Sequence, residues 1–325
     1  MKQIGLAIGS LVISLWVCEF FLRASSVLPS PVVPSHVGMF DSELGWTLRP
    51  NVRASNEVLG YPVLYETNSQ GLRDEEHPYE RTKGKFRIVL LGDSRTFGFG
   101  VNIEDHFSKL LEKDLPGVEV VNLGVSGYGV DQMLLRLKKD GLKYSPDLVV
   151  VYVPHYGDHR HVHTNRFGQE KPMFVMNGSE LTLTNSPVST PSFGSQLHRW
   201  FSNHSELYRF LCVFFEIPVF GFVRENPVEN ADQEKLEELA ARLIDEFSSV
   251  SRASGARFLL LTPLPDLKEH ALNSGFPVFD VGVVLDKADY SLPKGASHIN
   301  PEGNKLLSKA LAEFLLENFA INPDS

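Results

Sequence analysis

The chain has 325 residues, 42% of them hydrophobic and 22% charged, and a formal charge of −9 from 31 Lys and Arg against 40 Asp and Glu. This composition supports a packed core rather than disorder, and an acidic balance without a Lys/Arg run argues against a nucleic-acid binder. Two cysteines, Cys18 and Cys212, exclude a disulfide framework and a cysteine-rich zinc site. The length fits one large α/β domain with additions, or two small domains.

In chain order, Ile4 to Leu22 is apolar apart from small polar residues and Glu19, about the length of a bilayer-crossing helix. Ala24-Ser25-Ser26 is a poor signal-peptidase exit, and Val17 stands where a lipoprotein signal needs a small residue before its cysteine. A buried core helix is disfavoured by the terminal position and by the Pro/Ser-rich stretch that follows. The expectation is an uncleaved anchor in residues 1–23, with membrane contact through residues 4–22, and an extended linker in 24–39. Residues 1–23 carry a formal +1, which leaves −10 on an acidic body expected outside the cytoplasm, periplasmic or at the cell surface.

Residues 40–85 are rich in turn formers and read as short strands and loops, an N-terminal extension of a domain over 40–325. Arg87 to Gly92 is a continuous apolar run closed by glycine, as in a strand buried on both faces. Further strands are expected at Val118–Gly124, Asp147–Val153, Arg257–Thr262 and Val278–Val284, with helices at Glu104–Leu115, Val130–Leu142, around Leu236–Val250, and after Asn300-Pro301-Glu302. Residues 157–229 read as an irregular insertion whose aromatics Phe193, Trp200, Phe201, Phe214, Phe215 and Phe220 either line a sugar or acyl cleft or, as the favoured reading, belong to the core. Strands alternating with helices imply a parallel sheet covered on both faces, with ligands beyond the carboxyl ends of the strands.

Three segments at those ends carry chemistry. Ser94 in Gly92-Asp93-Ser94 is either a nucleophile lifted on a tight turn or a helix cap. Gly124, in Asn122-Leu-Gly124, is either an oxyanion donor or a turn glycine. His298, in Ser-His-Ile-Asn-Pro-Glu-Gly, is either a general base or an exposed loop histidine. Taken together, in this order, the three segments resemble the SGNH hydrolase superfamily, the GDSL esterases. NSQGLRDEE followed by FRIVLLGDSRTFGFGV resembles its bacterial branch behind an N-terminal membrane segment.

The resemblance implies a three-layer α/β sandwich with a central, mostly parallel sheet. It implies Ser94 as nucleophile, His298 as base, and the N–H groups of Ser94 and Gly124 in an oxyanion hole. No metal or other cofactor is implied. The substrate would be a small-molecule or polysaccharide ester, and the reaction esterase chemistry on carboxylic, most simply acetyl, esters. The alternatives are a carbohydrate O-acetyltransferase or a non-catalytic domain that binds carbohydrate or protein.

The sequence also departs from the family pattern. Gly157 stands where the family offers an asparagine donor, with His155 and Asp158 as neighbouring candidates. Ala296 and Gly295 stand where the triad acid is expected, leaving Asp286 or Asp289 as candidates, or a Ser–His dyad. Arg95 follows the proposed nucleophile, either to draw an anionic substrate or to pair with a nearby carboxylate, and Asp93 beside it is a further auxiliary candidate. His155, Asp158, His159, His161 and His163 alternate as zinc ligands can, but without a fourth ligand at a settled spacing. They read as a solvated or substrate-facing loop.

Overall fold

The computed structural model describes residues 2–25, 37–58, 61–155, 160–166, 169–178, 180–215, 233–285, 290–292 and 298–321. Helix α1 (Lys2–Ser25) opens the chain. Two antiparallel hairpins follow, β1 (Gly38–Asp41) with β2 (Gly45–Leu48) and β3 (Arg53–Val58) with β4 (Tyr61–Glu66). These are the short strands that the turn residues of 40–85 predict.

The α/β unit begins with β5 (Phe86–Gly92), the one-turn helix α2 (Ser94–Phe97), α3 (Phe107–Asp114), β6 (Val118–Asn122), α4 (Val130–Lys139) and β7 (Leu148–Tyr152). The segment after β7 is more ordered than its composition implies. It holds the hairpins β8 (Asn165–Arg166) with β9 (Gln169–Glu170) and β10 (Met173–Asn177) with β11 (Glu180–Thr184), then α5 (Phe193–His204) and α6 (Glu206–Phe214). Helix α7 (Gln233–Ala253), β12 (Arg257–Thr262), α8 (Pro265–Ser274), β13 (Val278–Asp280), α9 (Val281–Val284) and α10 (Pro301–Asn318) complete the unit. The strand expected over Val278–Val284 stops at Asp280, whose carboxylate accepts from the Gly282 N–H and starts a helical turn.

Strands β13, β12, β7, β5 and β6 form one sheet in that order, and every pairing is parallel. The four strands β12, β7, β5 and β6 bury both faces, while the edge strand β13 buries Phe279 alone. Val89, Leu91, Val149, Val151 and Leu260 meet α4, α7 and α8 on one side. Ile88, Leu90, Val150, Leu259 and Leu261 meet α3 and α10 on the other. This is the expected three-layer sandwich, and it follows from the period-two alternation of side chains along runs that are apolar at every position.

Chain direction reverses across the sheet at β5: its connection leads outward to β6, whereas β7 leads the other way to β12. Ligand crevices in such sheets open between the carboxyl ends of strands at this kind of reversal. The exposed edge of β6 is covered by the strap before β5, where Asp74 accepts from the Asn122 N–H at 2.8 Å. Asp131 at the start of α4 is fully buried and ion-paired with the equally buried Lys171, pinning the insertion to α4.

Two readings of the insertion are corrected. Phe193, Trp200, Phe201, Phe214 and Phe215 are exposed, not core, because their helices pack through other faces; Phe220 lies outside the described residues. His161 is not on a solvated loop: it is buried, its Nε2 3.1 Å from the Leu236 carbonyl of α7.

Candidate active site

Strand β5 delivers Gly92 to the carboxyl edge, and α2 starts two residues later. Asp93 caps it, accepting from the Arg95 N–H at 2.9 Å. The turn is tight enough that a Cβ on Gly92 would come 1.9 Å from Thr96 Oγ1. Ser94 is the first helical residue, only 6% exposed. At that position its N–H has no acceptor within the helix.

A one-turn helix leaves its carbonyls unpaired unless other groups reach them. Here side chains from three other segments do so. His106 Nε2 bonds the Arg95 carbonyl at 2.9 Å, and Asn122 Nδ2 donates to the Thr96 carbonyl at 2.8 Å. Arg73 donates to the carbonyls of Phe97 (3.0 Å), Gly98, Val101 (2.6 Å) and Leu64 (3.2 Å). Its guanidinium also lies over the Tyr65 ring at 4.4 Å. Burial lowers the pKa of His106 to about 4. The ring is therefore neutral, donating from Nε2 to the Arg95 carbonyl. Burial likewise pulls Arg73 down to about 10, leaving it charged at neutral pH. Arg73 belongs to the GLRDEE stretch, whose part in the site sequence reasoning missed.

His298 reaches Ser94 from the other end of the chain. Its Nε2 lies 2.8 Å from Ser94 Oγ. The ring is half-buried against Phe99, with centroids 4.5 Å apart. Its carbonyl accepts from the Leu292 N–H at 2.8 Å, and Asn300 caps α10 two residues later. Asn304 on α10 accepts from the Phe107 N–H at 3.1 Å, tying the histidine segment to α3.

The remaining predicted residues separate. Asp93 is buried as a cap, with Oδ2 3.7 Å from His155 Nε2. His155 follows β7, the neighbour of β5 at the crevice, so the structure brings Asp93 and His155 together. Arg95 is half-buried, its main chain held by Asp93 and His106. The Gly124 N–H donates to Asn122 Oδ1 at 2.9 Å. Its lack of a side chain is required by packing, since a Cβ would lie 2.5 Å from both Phe97 N and Thr96 C. Gly157, Asp158, Asp286 and Asp289 lie outside the described residues.

No protein-family model and no curated protein matches the chain. Similarity does extend to solved structures. The lipase/acylhydrolase from Enterococcus faecalis has a TM-score of 0.42 and 16% identity, covering 73% of this chain and 97% of that one. LAE5, an alpha/beta hydrolase enzyme from the metagenome of Lake Arreo, Spain, has a TM-score of 0.42 and 16% identity over 75% and 99%. The psychrotrophic esterase EstA from Pseudoalteromonas sp. has 0.40 and 14% over 73% and 100%. At these identities the chemistry of this chain has to be read from its own side chains.

Proposed function

We propose that the protein is a serine esterase of SGNH type that works through an acyl-enzyme. The observation that carries this reading is the 2.8 Å contact between Ser94 Oγ and His298 Nε2 at the carboxyl edge of the parallel sheet. His298 accepts the Ser94 proton as Oγ bonds to the ester carbonyl carbon. The carbonyl π pair moves onto oxygen and returns as the alkoxide leaves, taking the proton from His298. Water, deprotonated by His298, then repeats the sequence on the acyl-serine and releases the acid.

The Ser94 N–H is assigned to the developing oxyanion. Gly124 serves there only by sharing an N–H already bonded to Asn122. In place of the family asparagine we assign the ring N–H of His155, which stands beside Asp93. We assign residues 1–23 as the membrane anchor, supported by α1: Gln3–Ser25 is long and apolar enough to cross a bilayer. The body then works outside the cytoplasm, on small acyl esters such as acetyl groups on carbohydrate.

The test is intact-mass labelling of the full chain in detergent with a fluorophosphonate, beside hydrolysis of nitrophenyl esters of increasing acyl length. We expect one adduct on the wild type and none on Ser94→Ala, whose hydrolysis falls by on the order of 10⁶-fold. His298→Ala falls comparably. An adduct that survives Ser94→Ala overturns the reading. Acetyl transfer to an added sugar that outpaces hydrolysis would reassign the enzyme as an acetyltransferase.

A further inference from the structure

The helices α5 and α6 turn apolar stripes outward. Along α5, Phe193, Leu197, Trp200 and Phe201 share one face and all are exposed, Phe193 by 79% and Trp200 by 54%. Along α6, Phe210, Leu211 and Phe214 form a second exposed stripe that runs on into Phe215. Ser202, Arg209 and Cys212 are buried, so both helices have a filled inner side and a bare outer one. Aromatic surface this contiguous marks an interaction site.

The position of the pair identifies what covers it. The turn between the two helices is bonded to α1. Glu19 accepts from Ser205 Oγ at 2.9 Å, from the Glu206 N–H at 3.0 Å and from the Leu207 N–H at 2.9 Å. Arg23 donates to the His204 carbonyl at 2.6 Å and to Glu19 at 2.7 Å. The one acid of the apolar helix is therefore the N-terminal cap of α6, supplied from another element. Glu19 lies six residues before the end of α1, about 9 Å along the axis. For a helix that spans a bilayer through residues 4–22, Glu19 is within one turn, about 5 Å, of the end of the apolar stretch and so near the edge of the hydrocarbon.

We infer that α5–α6 is a second membrane contact, lying in the bilayer interface with its aromatic stripes in the acyl–headgroup boundary. Phe and Trp on one face of a surface helix suit that boundary. The lipid that surrounds α1 is already adjacent to helices hydrogen-bonded to it. The exposed stripes are apolar rather than basic, so contact does not require anionic lipid. The inference rests on reading α1 as a membrane span.

Trp16, Trp46 and Trp200 are the three tryptophans of the chain, in α1, in the buried body and in α5. The full-length protein is reconstituted into phosphatidylcholine vesicles whose acyl chains carry bromine either near the headgroup or near the bilayer centre. Comparing Trp16→Phe with the Trp16→Phe/Trp200→Phe double variant isolates Trp200. Comparing Trp200→Phe with the same double variant isolates Trp16. Both substitutions fall on exposed side chains and leave Trp46 untouched. We expect Trp200 to lose emission, more from shallow bromine than from deep. Quenching of Trp16 without Trp200 overturns the proposal and leaves the anchor standing. Equal or stronger quenching of Trp200 by deep bromine overturns the interfacial placement. No quenching of either removes the anchor and the proposal together.

Discussion

The nucleophile turn and the α5–α6 pair are built in opposite ways. The turn buries polar groups: Arg73, His106, Asp93 and Asn122 are nearly inaccessible, and each bonds main-chain atoms of residues 93–101. The helix pair leaves aromatic groups bare and is joined to α1 through two side chains, Glu19 and Arg23. Buried polar groups are costly unless satisfied, so they persist where they fix a geometry. Bare apolar groups persist where another phase or partner covers them. The first region holds the turn that sets Ser94 against His298, and the second is suited to place the whole body.

Removing the centre of the first region should have the largest effect on stability. Arg73→Ala removes the side-chain donor to carbonyls at Leu64, Phe97, Gly98 and Val101, of which Gly98 keeps only the Val101 N–H at 3.4 Å. We expect a loss of about 3 kcal/mol in denaturant unfolding, together with slower fluorophosphonate labelling of Ser94. Arg73→Lys should recover only part of both, since an ammonium cannot reach four carbonyls from a planar fork. A full recovery would reduce Arg73 to a simple buried charge.

In the second region, Glu19→Ala removes the cap of α6 and should cost that helix about 1 kcal/mol. Hydrogen exchange reports it as faster exchange of the Glu206 and Leu207 amides. Unchanged protection there would mean that α6 holds its place without α1.

The smallest effect concerns the strap that carries Arg73. Burial works against a charged His77, but Asp74 at 3.1 Å and Glu119 at 3.3 Å outweigh it and raise its pKa. The stability contributed by the charged ring is complete below the ordinary histidine pKa of about 6.5 and is lost as pH rises through the folded value. Burial also opposes ionisation of Asp74, yet His77 and Lys109 hold its pKa below the usual carboxylate range. Its contribution runs the other way, present above that range and lost as pH falls through the folded value. The melting-temperature gap between wild type and His77→Gln should therefore narrow from about pH 6 to about pH 9. A widening gap would mean that the ring is neutral in the fold.

The sheet was legible because β5, β6 and β7 are apolar at nearly every position, a pattern that only a strand buried on both faces sustains. Ser94 and His298 were legible from the glycine turn before one and the Asn-Pro helix start after the other. Gly124 shows where such reading stops: a glycine signals close approach but not what approaches, and here it is the backbone of α2. Arg73 was hidden because a charged residue in a turn-rich stretch reads as solvated. Helix α8 escaped notice since it buries only Leu267 and Ala271. For α5 and α6 the sequence shows an apolar face, but periodicity cannot say whether protein covers it.

The contact between Ser94 and His298 joins residues 204 positions apart, and α10, which fixes the histidine segment, is the last helix among the described residues. The proposed nucleophile therefore emerges from the ribosome long before its proposed base. On the proposed reading, a chain interrupted before His298 carries the serine without its base. Under that proposal reactivity arrives late in synthesis, and products truncated before His298 are expected to be inactive.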